Sequence, residues 1–378
     1  MIMWSAGQVT EIVNETDRLQ EIRVELPSET VKALHYPALM GKIKEGELVV
    51  LNTTAHCLSL GTGGFHYVAA RFSRQGKPLM QTGTLHRGHI MKLRYTPLQL
   101  AICAAEEVNS SHHERFQTVV GNELSGVPVL VGELHSMLPA ICLSAQYIYR
   151  KRGREQPPRI CYIMTDSGAL PMALSSHVHV LRECGLLTGT ITCGHAFGGE
   201  TECINIYTAL LAAVHIWQAD IVLVMPGPGI VGTGTPLGFS GIEQVFILQA
   251  VHQLQGIPVM VPRVSGSERR QRHLGISHHT KTIVRYAAHV PFVLNFEETL
   301  LDGGKTVPYS KCHTVIEHEP LDIELWQQIT DKYPLPLTTM GRTIKEDPVF
   351  FAHAYYAAQF ACAIQQHNKA AAPMDLFS

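Results

Sequence analysis

The sequence predicts an α/β protein with a Rossmann-like, doubly wound, mostly parallel sheet, preceded by a small N-terminal β-barrel or β-sandwich domain. From about residue 120 onward, apolar strands alternate with amphipathic helices, which is typical of a parallel sheet with helices on both faces. Before about residue 100, short β-type segments are joined by glycine turns. Of the 378 residues, 46% are hydrophobic and 16% are charged, so the chain can bury the cores of two domains.

The N-terminal domain, residues 1–108, is predicted from short strands with alternating or continuous apolar residues. They lie at residues 7–13, 22–26, 47–51 and 65–70. A closed barrel or a sandwich is the simplest arrangement that buries so many short strands. Residues 98–108 are expected to be helical and to lead toward the next domain.

The second domain, residues 115–367, is predicted to be the α/β domain. Its strands are expected at 127–131, 160–164, 190–192, 220–225, 258–261 and 291–294. Its helices are expected at 140–149, 178–184, 202–217 and 347–365, and one further helix is expected to end near Leu254. In a parallel sheet every strand-to-helix loop lies at the carboxyl edge, where open α/β sheets bind ligands. Residues 368–378 are expected to form a disordered tail.

Composition and charge exclude several classes of protein. With 30 basic and 32 acidic residues the net charge is -2, so neither nucleic acid nor an anionic membrane is an expected partner. The first 13 residues lack a secretory signal, and no apolar stretch approaches the roughly 20 residues of a membrane span. A cytoplasmic location is therefore expected. The nine cysteines contain no C-x-x-C pair, which indicates reduced thiols and not a disulfide framework or a thiolate zinc site.

A glycine-rich loop follows the predicted strand at 220–225. It has the spacing G-x-G-x-x-G, which lets backbone N–H groups approach a phosphate, but it lacks the lysine of a Walker A loop. We expect Gly229, Gly232 and Gly234 to bind an anion there. A tight crossover without a ligand is the alternative explanation of these glycines.

Four arginines follow the next strand within ten residues, at positions 263, 269, 270 and 272. Guanidinium groups match the geometry of phosphate and carboxylate oxygens. A solvated helix face is the alternative explanation of such a charge run. We expect Arg263 and Arg269 to neutralise an anionic substrate.

Histidines and carboxylates are concentrated in the same set of loops. Asp166 and His195 are expected to carry out acid–base chemistry. His195, Glu200, His278 and His279 are expected to bind a divalent metal such as Zn, Mn, Fe or Mg. No pair has the helical spacing H-x-x-x-H, so such a site must be assembled across loops, and hydrogen-bonded core or capping histidines are the alternative.

Three motifs connect the chain to a known family. They are MTDSGALP at 164–171, GHAFGGE at 194–200 and GISHHT at 275–280. With these motifs the sequence resembles, over nearly its whole length, a bacterial family catalogued only as a domain of unknown function. The resemblance implies no reaction, cofactor or catalytic residue.

The leading functional hypothesis is an enzyme that acts on a small anionic, phosphorylated or nucleotide-like substrate by hydrolysis or group transfer, assisted by a divalent metal. An NAD(P)-dependent oxidoreductase, with pyrophosphate on the glycine loop, is the second hypothesis. A non-enzymatic sensor of a small ligand is the third. The abundance of histidines and carboxylates favours an enzyme. The aromatic residues of the helix at 347–365 are expected to contact the core or a second copy in a homodimer.

Overall fold

The structure is a computed structural model that divides the chain into two compact units, Met1–Leu85 and His86–Ser378. It describes residues 2–60, 63–79, 88–118, 123–154, 156–287, 289–297, 313–318 and 322–368. The predicted tail, from residue 369 onward, lies outside the described residues. The division between the units comes earlier in the chain than the predicted boundary at residue 108.

The first unit is a closed barrel of five strands. Its elements are β1 Trp4–Glu15, β2 Gln20–Glu25, β3 Thr30–His35, α1 Pro37–Met40, β4 Leu48–Asn52, α2 Thr54–Cys57 and β5 Phe65–Phe72. The strand order is β1-β2-β3-β5-β4, and pairing of β1 with β4 closes the barrel. All four predicted strands are confirmed, and the structure selects the barrel over the sandwich. β3 was not predicted, although its residues alternate between exposed and buried.

The second unit is an α/β structure built on a parallel sheet. Its elements are β6 Ile90–Lys92, β7 Leu100–Ile102, α3 His113–Gln117, β8 Pro128–Gly132, α4 Met137–Lys151, β9 Ile160–Thr165, α5 Ser176–Glu183, β10 Gly189–Thr192, β11 Thr201–Glu202, α6 Ile206–His215, β12 Ile221–Pro226, α7 Gln244–Gln253, β13 Ile257–Val261, β14 Val264–Ser265, β15 Gly275–Ile276, α8 His278–Tyr286, β16 Phe292–Glu297, β17 His313–His318, α9 Ile323–Thr330 and α10 Pro348–Asn368. Short 3-10 turns lie at Met172–Leu174, Ser240–Glu243 and Gln271–His273.

The main sheet has eight strands, counting the two-residue β11, in the order β11-β10-β9-β12-β8-β13-β16-β17. Its strand pairs are all parallel. Alternate residues of the central strand β8 face opposite sides. Leu130 packs with α4, α5, α9 and α10, whereas Val129 and Val131 pack with α6, α7 and α8. The predicted parallel sheet covered by helices on both faces is therefore confirmed.

The connections of the sheet reverse direction near its centre. The helices that follow β8 and β9 pack on one face, and those that follow β12 and β13 pack on the other. Because β12 lies between β9 and β8, and β8 lies between β12 and β13, neighbouring loops leave the carboxyl edge toward opposite faces. Crevices for ligands open at such points in parallel sheets.

Two predicted helices differ from the structure. The segment expected to be helical at 98–108 contains the strand β7, because Leu100–Ile102 pairs with β6. The helix expected at 202–217 begins only at Ile206, because Thr201–Glu202 pairs with β10 and Asn205 then caps the helix with its side chain. Buried Lys92 on β6 binds Glu202 across 2.6 Å. This ion pair attaches the β6–β7 hairpin to the α/β unit and explains why the boundary precedes residue 108.

The aromatic side chains of α10 belong to the core. Phe350, Phe351 and Tyr356 are buried, and Phe351 packs against Trp326 of α9 at a centroid distance of 5.3 Å. These contacts account for the aromatic pattern within one chain. Among the residues that the structure describes, no helix combines the length and the apolar character of a membrane span.

The centre of the sheet should be sensitive to cavities. Leu130→Ala empties space at a fully buried position, so we expect a loss of about 2–5 kcal/mol in the free energy of unfolding. Leu237→Ala, at a position with 51% exposure, is the control and should change it by less than about 0.5 kcal/mol. Urea unfolding followed by helical circular dichroism measures both. Equal effects would contradict the assignment of Leu130 to the core.

Candidate functional site

Three histidines form a cluster at the carboxyl edge of the sheet. His273 ends a 3-10 turn, and His278 and His279 begin α8. One side-chain nitrogen of each lies within 4.8 Å of the other two, and within the described ranges no other group of three or more His, Cys, Asp or Glu side chains has this proximity. Ser277 caps α8 by accepting a hydrogen bond from the N–H of His279, as its position in the sequence predicts. The consecutive histidines are thus held at a rigid helix start.

A buried carboxylate orients one ring of the cluster. Glu133, just after β8, accepts a hydrogen bond from Nδ1 of His279 at 2.6 Å. An ionised carboxylate only accepts, so this bond selects, for the neutral ring of His279, the tautomer whose lone pair is on Nε2. Phe239 stacks on the same ring, with centroids 3.8 Å apart and planes within 4°. A carboxylate behind a histidine is the arrangement that fixes metal-binding imidazoles in proteins.

The other two histidines also have a ring nitrogen available. Nδ1 of His273 lies 2.8 Å from Oγ of Ser277, and Nε2 of His278 is buried without a hydrogen-bond partner. Burial, followed by the charge of Arg263, lowers the pKa of His273 to about 3. Burial also lowers the pKa of His278. Both rings are therefore neutral near pH 7, which is the form that binds metal ions.

Arg263 binds the same carboxylate, Glu133, that contacts His279 of the cluster. Its Nη1 donates to Oε1 of Glu133 at 2.9 Å, and both side chains are at least 95% buried. Its guanidinium also lies 3.8 Å from Glu268. Arg263 was expected to contact a substrate. In the structure its guanidinium already lies beside two carboxylates, those of Glu133 and Glu268. Arg269, the other arginine expected to bind the anion, is exposed.

The glycine loop lies against the histidine cluster. Gly232 forms a β-bridge with Phe239, and a Cβ added to Gly232 would lie 3.6 Å from Nε2 of His279. Gly229 and Gly234 have φ angles of +97° and +78°, which favour glycine. The structure thus brings part of the predicted anion loop and two of the predicted metal ligands to one place.

A second polar group lies at the end of β9. Thr165 and Ser167 donate to Oε1 of Glu243 at 2.5 and 2.6 Å. Burial raises the pKa of Glu243, and the neighbouring charge of Asp166 adds to this effect. Glu243 was not predicted as a site residue. Its position at the first helix start after the glycine loop is the signal that could have identified it.

Asp166 and His195 lie next to each other, and the carboxylate of Asp166 contacts the backbone of His195. Oδ2 of Asp166 accepts from the N–H of His195 at 2.9 Å. The His195 ring accepts at Nδ1 from the N–H of Leu93 at 3.1 Å, so its neutral form carries the hydrogen on Nε2. The predicted acid–base pair is therefore assembled at one edge, without a bond between the two side chains.

The four predicted metal ligands do not form one group. His278 and His279 do lie together, and His273 is the third member of their cluster. Glu200 instead binds Arg182 at 2.6 Å and Thr190 at 3.0 Å. Glu200 lies beside β10, whereas the histidines face loops of β8, β12 and β13, so the strand order separates them.

A charged network continues behind Arg263. Glu268 binds Arg270 at 2.9 Å and lies 3.6 Å from Arg342. Arg342 in turn binds the buried Asp347 at 3.1 Å. The hydrogen bonds from Arg270, with the charge of Arg342, lower the pKa of Glu268 to about 2. The loop after β13 is therefore held in place by ion pairs.

Loss of the Glu133 carboxylate should destabilise the α/β unit. Glu133→Gln leaves Arg263 buried with its closest counter-charge removed, so we expect a loss of about 3–5 kcal/mol. The double variant E133Q/R263M removes both charges and should recover much of this loss. Glu183→Gln, in an exposed pair with His179, is the control and should cost less than about 1 kcal/mol. Urea unfolding of the four proteins is the measurement, and a double variant no more stable than E133Q would contradict the pairing.

The Glu268 network should make stability depend on pH. The folded pKa of Glu268 is about 2 against an ordinary value of 4.5. Its contribution is therefore present above about pH 4.5 and is lost as the pH falls toward 2. Glu268→Gln should be less stable than the wild type by about 2 kcal/mol at pH 7, with a difference that shrinks on acidification. Glu114→Gln, at an exposed position, should show no such difference. Thermal unfolding across this pH range tests the expectation, and a constant difference would contradict it.

The comparisons with known proteins concern the chain as a whole. The family described as "Protein of unknown function (DUF3866)" matches residues 32–358. A search of curated proteins gives no match. The matched region begins within β3 of the barrel and ends within α10, so it includes every residue of the site described above. The chain therefore belongs to this family of unknown function.

Proposed function

We propose that the protein is an enzyme that uses a divalent metal, held by His273, His278 and His279, to hydrolyse a small anionic substrate or to transfer a group from it. The observation that carries this proposal is the convergence of three ring nitrogens within 4.8 Å. The Glu133 carboxylate behind His279 and the unpartnered buried nitrogen of His278 support it.

The donor set favours zinc or iron over magnesium. Imidazole nitrogens suit zinc and iron, whereas magnesium prefers oxygen ligands. Three protein ligands leave a fourth position open, as catalytic zinc sites require. An ion bound there would supply Lewis acidity and lower the pKa of a coordinated water toward neutrality.

The chain's own residues would perform the remaining tasks. Glu133 fixes the ring of His279, and the stacked Phe239 covers one face of it. The glycine loop borders the cluster at Gly232. Glu243, a carboxyl whose pKa burial raises, and Asp166, whose charge acts on Glu243, are the carboxyl groups at the end of β9 that would move protons.

The proposed location agrees with a Rossmann-like, doubly wound interpretation of the sheet. The loops that follow β8, β12 and β13 contribute the residues in and around the histidine cluster. These three strands are adjacent in the sheet, and the helices that follow them pack on opposite faces. Open sheets of this type bind ligands at such points. An enzyme is favoured over a sensor because three protein ligands leave a coordination position open for water or substrate, as catalytic metal sites do.

Metal binding tests this proposal directly. We expect untagged protein, purified without chelator, to contain close to one equivalent of zinc or iron by elemental mass spectrometry. His279→Ala and His278→Ala should each abolish this, because two ligands hold an ion much less tightly than three. Glu133→Gln should weaken zinc affinity about 10- to 100-fold, through loss of the hydrogen bond that orients His279.

The controls separate the cluster from other histidines. His195→Ala should retain the metal, since His195 lies outside the cluster. His252→Ala removes an exposed histidine and should also have no effect. Wild-type protein that takes up neither zinc nor iron, as purified or after dialysis against either ion, would refute the proposal.

A further inference from the structure

We infer that Arg272, together with the glycine loop at Gly234, forms a subsite for a phosphoryl group or a similar dianionic oxyanion beside the histidine cluster. This inference deepens the proposed function and rests on it, because it names the substrate class of the same site. It names a different arginine from Arg263 and Arg269, the two that the sequence favoured.

Arg272 lies between the histidine cluster and the glycine loop. It lies on the 3-10 turn Gln271–His273, immediately before the histidine cluster. A Cβ added to Gly234 would lie 3.9 Å from Cζ of Arg272. The guanidinium of Arg272 therefore faces the glycine loop at Gly234. Because Gly234 has no side chain, this side of the guanidinium stays accessible to a ligand.

The partners of the other arginines are the second argument. Arg263 is buried against Glu133, and Arg270 is bound to Glu268. Arg342 is bound to Asp347. Arg272 has no carboxylate within 4.0 Å in the part of the chain that the structure describes. Its planar fork is thus available for the paired hydrogen bonds that guanidinium forms with phosphate oxygens.

The electrostatics of the site are the third argument. The negative charge of Glu133 is balanced by Arg263. Arg272 adjoins His273 in the chain, so its positive charge lies next to the histidine cluster. A divalent ion on the histidines and a guanidinium beside them would together attract a dianion more strongly than a monocarboxylate.

The glycine loop is ordered by hydrogen bonds within itself. Its tip is fixed by hydrogen bonds of Thr233 and Thr235, whose hydroxyls lie 2.9 Å apart. The N–H of Gly238 donates to Thr235 at 3.1 Å, and the N–H of Thr233 donates to the carbonyl of Gly238 at 2.8 Å. A loop that is already ordered loses little conformational entropy when it binds a ligand.

The test measures binding of inorganic phosphate by isothermal titration calorimetry, at fixed salt, to metal-free and zinc-loaded protein. Arg272→Gln should weaken phosphate binding about 10- to 100-fold, the effect of losing a charge-assisted hydrogen bond. The matched control is Arg150→Gln, at an exposed arginine near the end of α4, which should change it less than twofold. Both arginines are exposed, so both variants should fold like the wild type, which circular dichroism checks.

Every outcome decides the inference. Phosphate binding that depends on Arg272 and not on Arg150 supports it. Equal binding by Arg272→Gln and wild type, or no phosphate binding by wild type with or without zinc, overturns it. Zinc affinity, measured in the same proteins, separates the two proposals. Zinc binding by a protein whose phosphate binding does not depend on Arg272 leaves the proposed function standing. Phosphate binding through Arg272 in a protein that takes up no zinc supports the subsite alone.

Discussion

The buried carboxylate of Glu133 is the group on which the rest of the site depends. It is 1% exposed, and a carboxylate at such a position is strongly unfavourable unless it is paired and hydrogen-bonded. Its Oε1 accepts from both Arg263 and His279. These two bonds fix the loop after β13 and the start of α8 against the end of β8. One charge, placed at the centre of the sheet, thereby organises the segments that carry the histidines.

The loop after β12 closes over the same carboxylate. A Cβ at Gly241 would lie 2.8 Å from Cγ of Glu133, so only glycine allows this close approach. Phe239, two residues earlier, stacks on His279. The glycine-rich sequence of the loop therefore has a packing role beside any ligand role. Packing on Glu133 and His279 brings the anion loop to the proposed metal centre.

The predictions that succeeded were those that depend on local pattern. Period-two and continuous apolar segments identified four of the five barrel strands and six of the eight strands of the parallel sheet, because side-chain alternation is a property of the strand itself. The histidines and carboxylates of the strand-to-helix loops lie at the carboxyl edge of the sheet, which follows from chain direction alone. The predicted proximity of His278 and His279 held because they are adjacent in sequence at a helix start.

The assignments that changed were those that depend on distant partners. Arg263 and Arg272 are similar in sequence context, yet Glu133, 130 residues before Arg263, pairs with one and leaves the other available. Glu200 was grouped with the histidines by residue type, but the strand order places it beside β10 with Arg182. The segment at 98–108 was expected to be helical, whereas it contains β7, which pairs with β6. The bond from Lys92 of β6 to Glu202, 110 residues away, holds this hairpin on the α/β unit.

The sequence by itself therefore determined the α/β class, the barrel strands, the edge of the sheet at which polar residues gather and the presence of a glycine loop there. Each of these follows from periodicity, chain direction or the conformational freedom of glycine, which act over a few residues. Only the tertiary structure decided which histidines meet, which carboxylate orients them and which arginine stays without a counter-charge. These choices depend on the burial of charges, and the energy of a buried charge is set by partners that folding brings from distant parts of the chain.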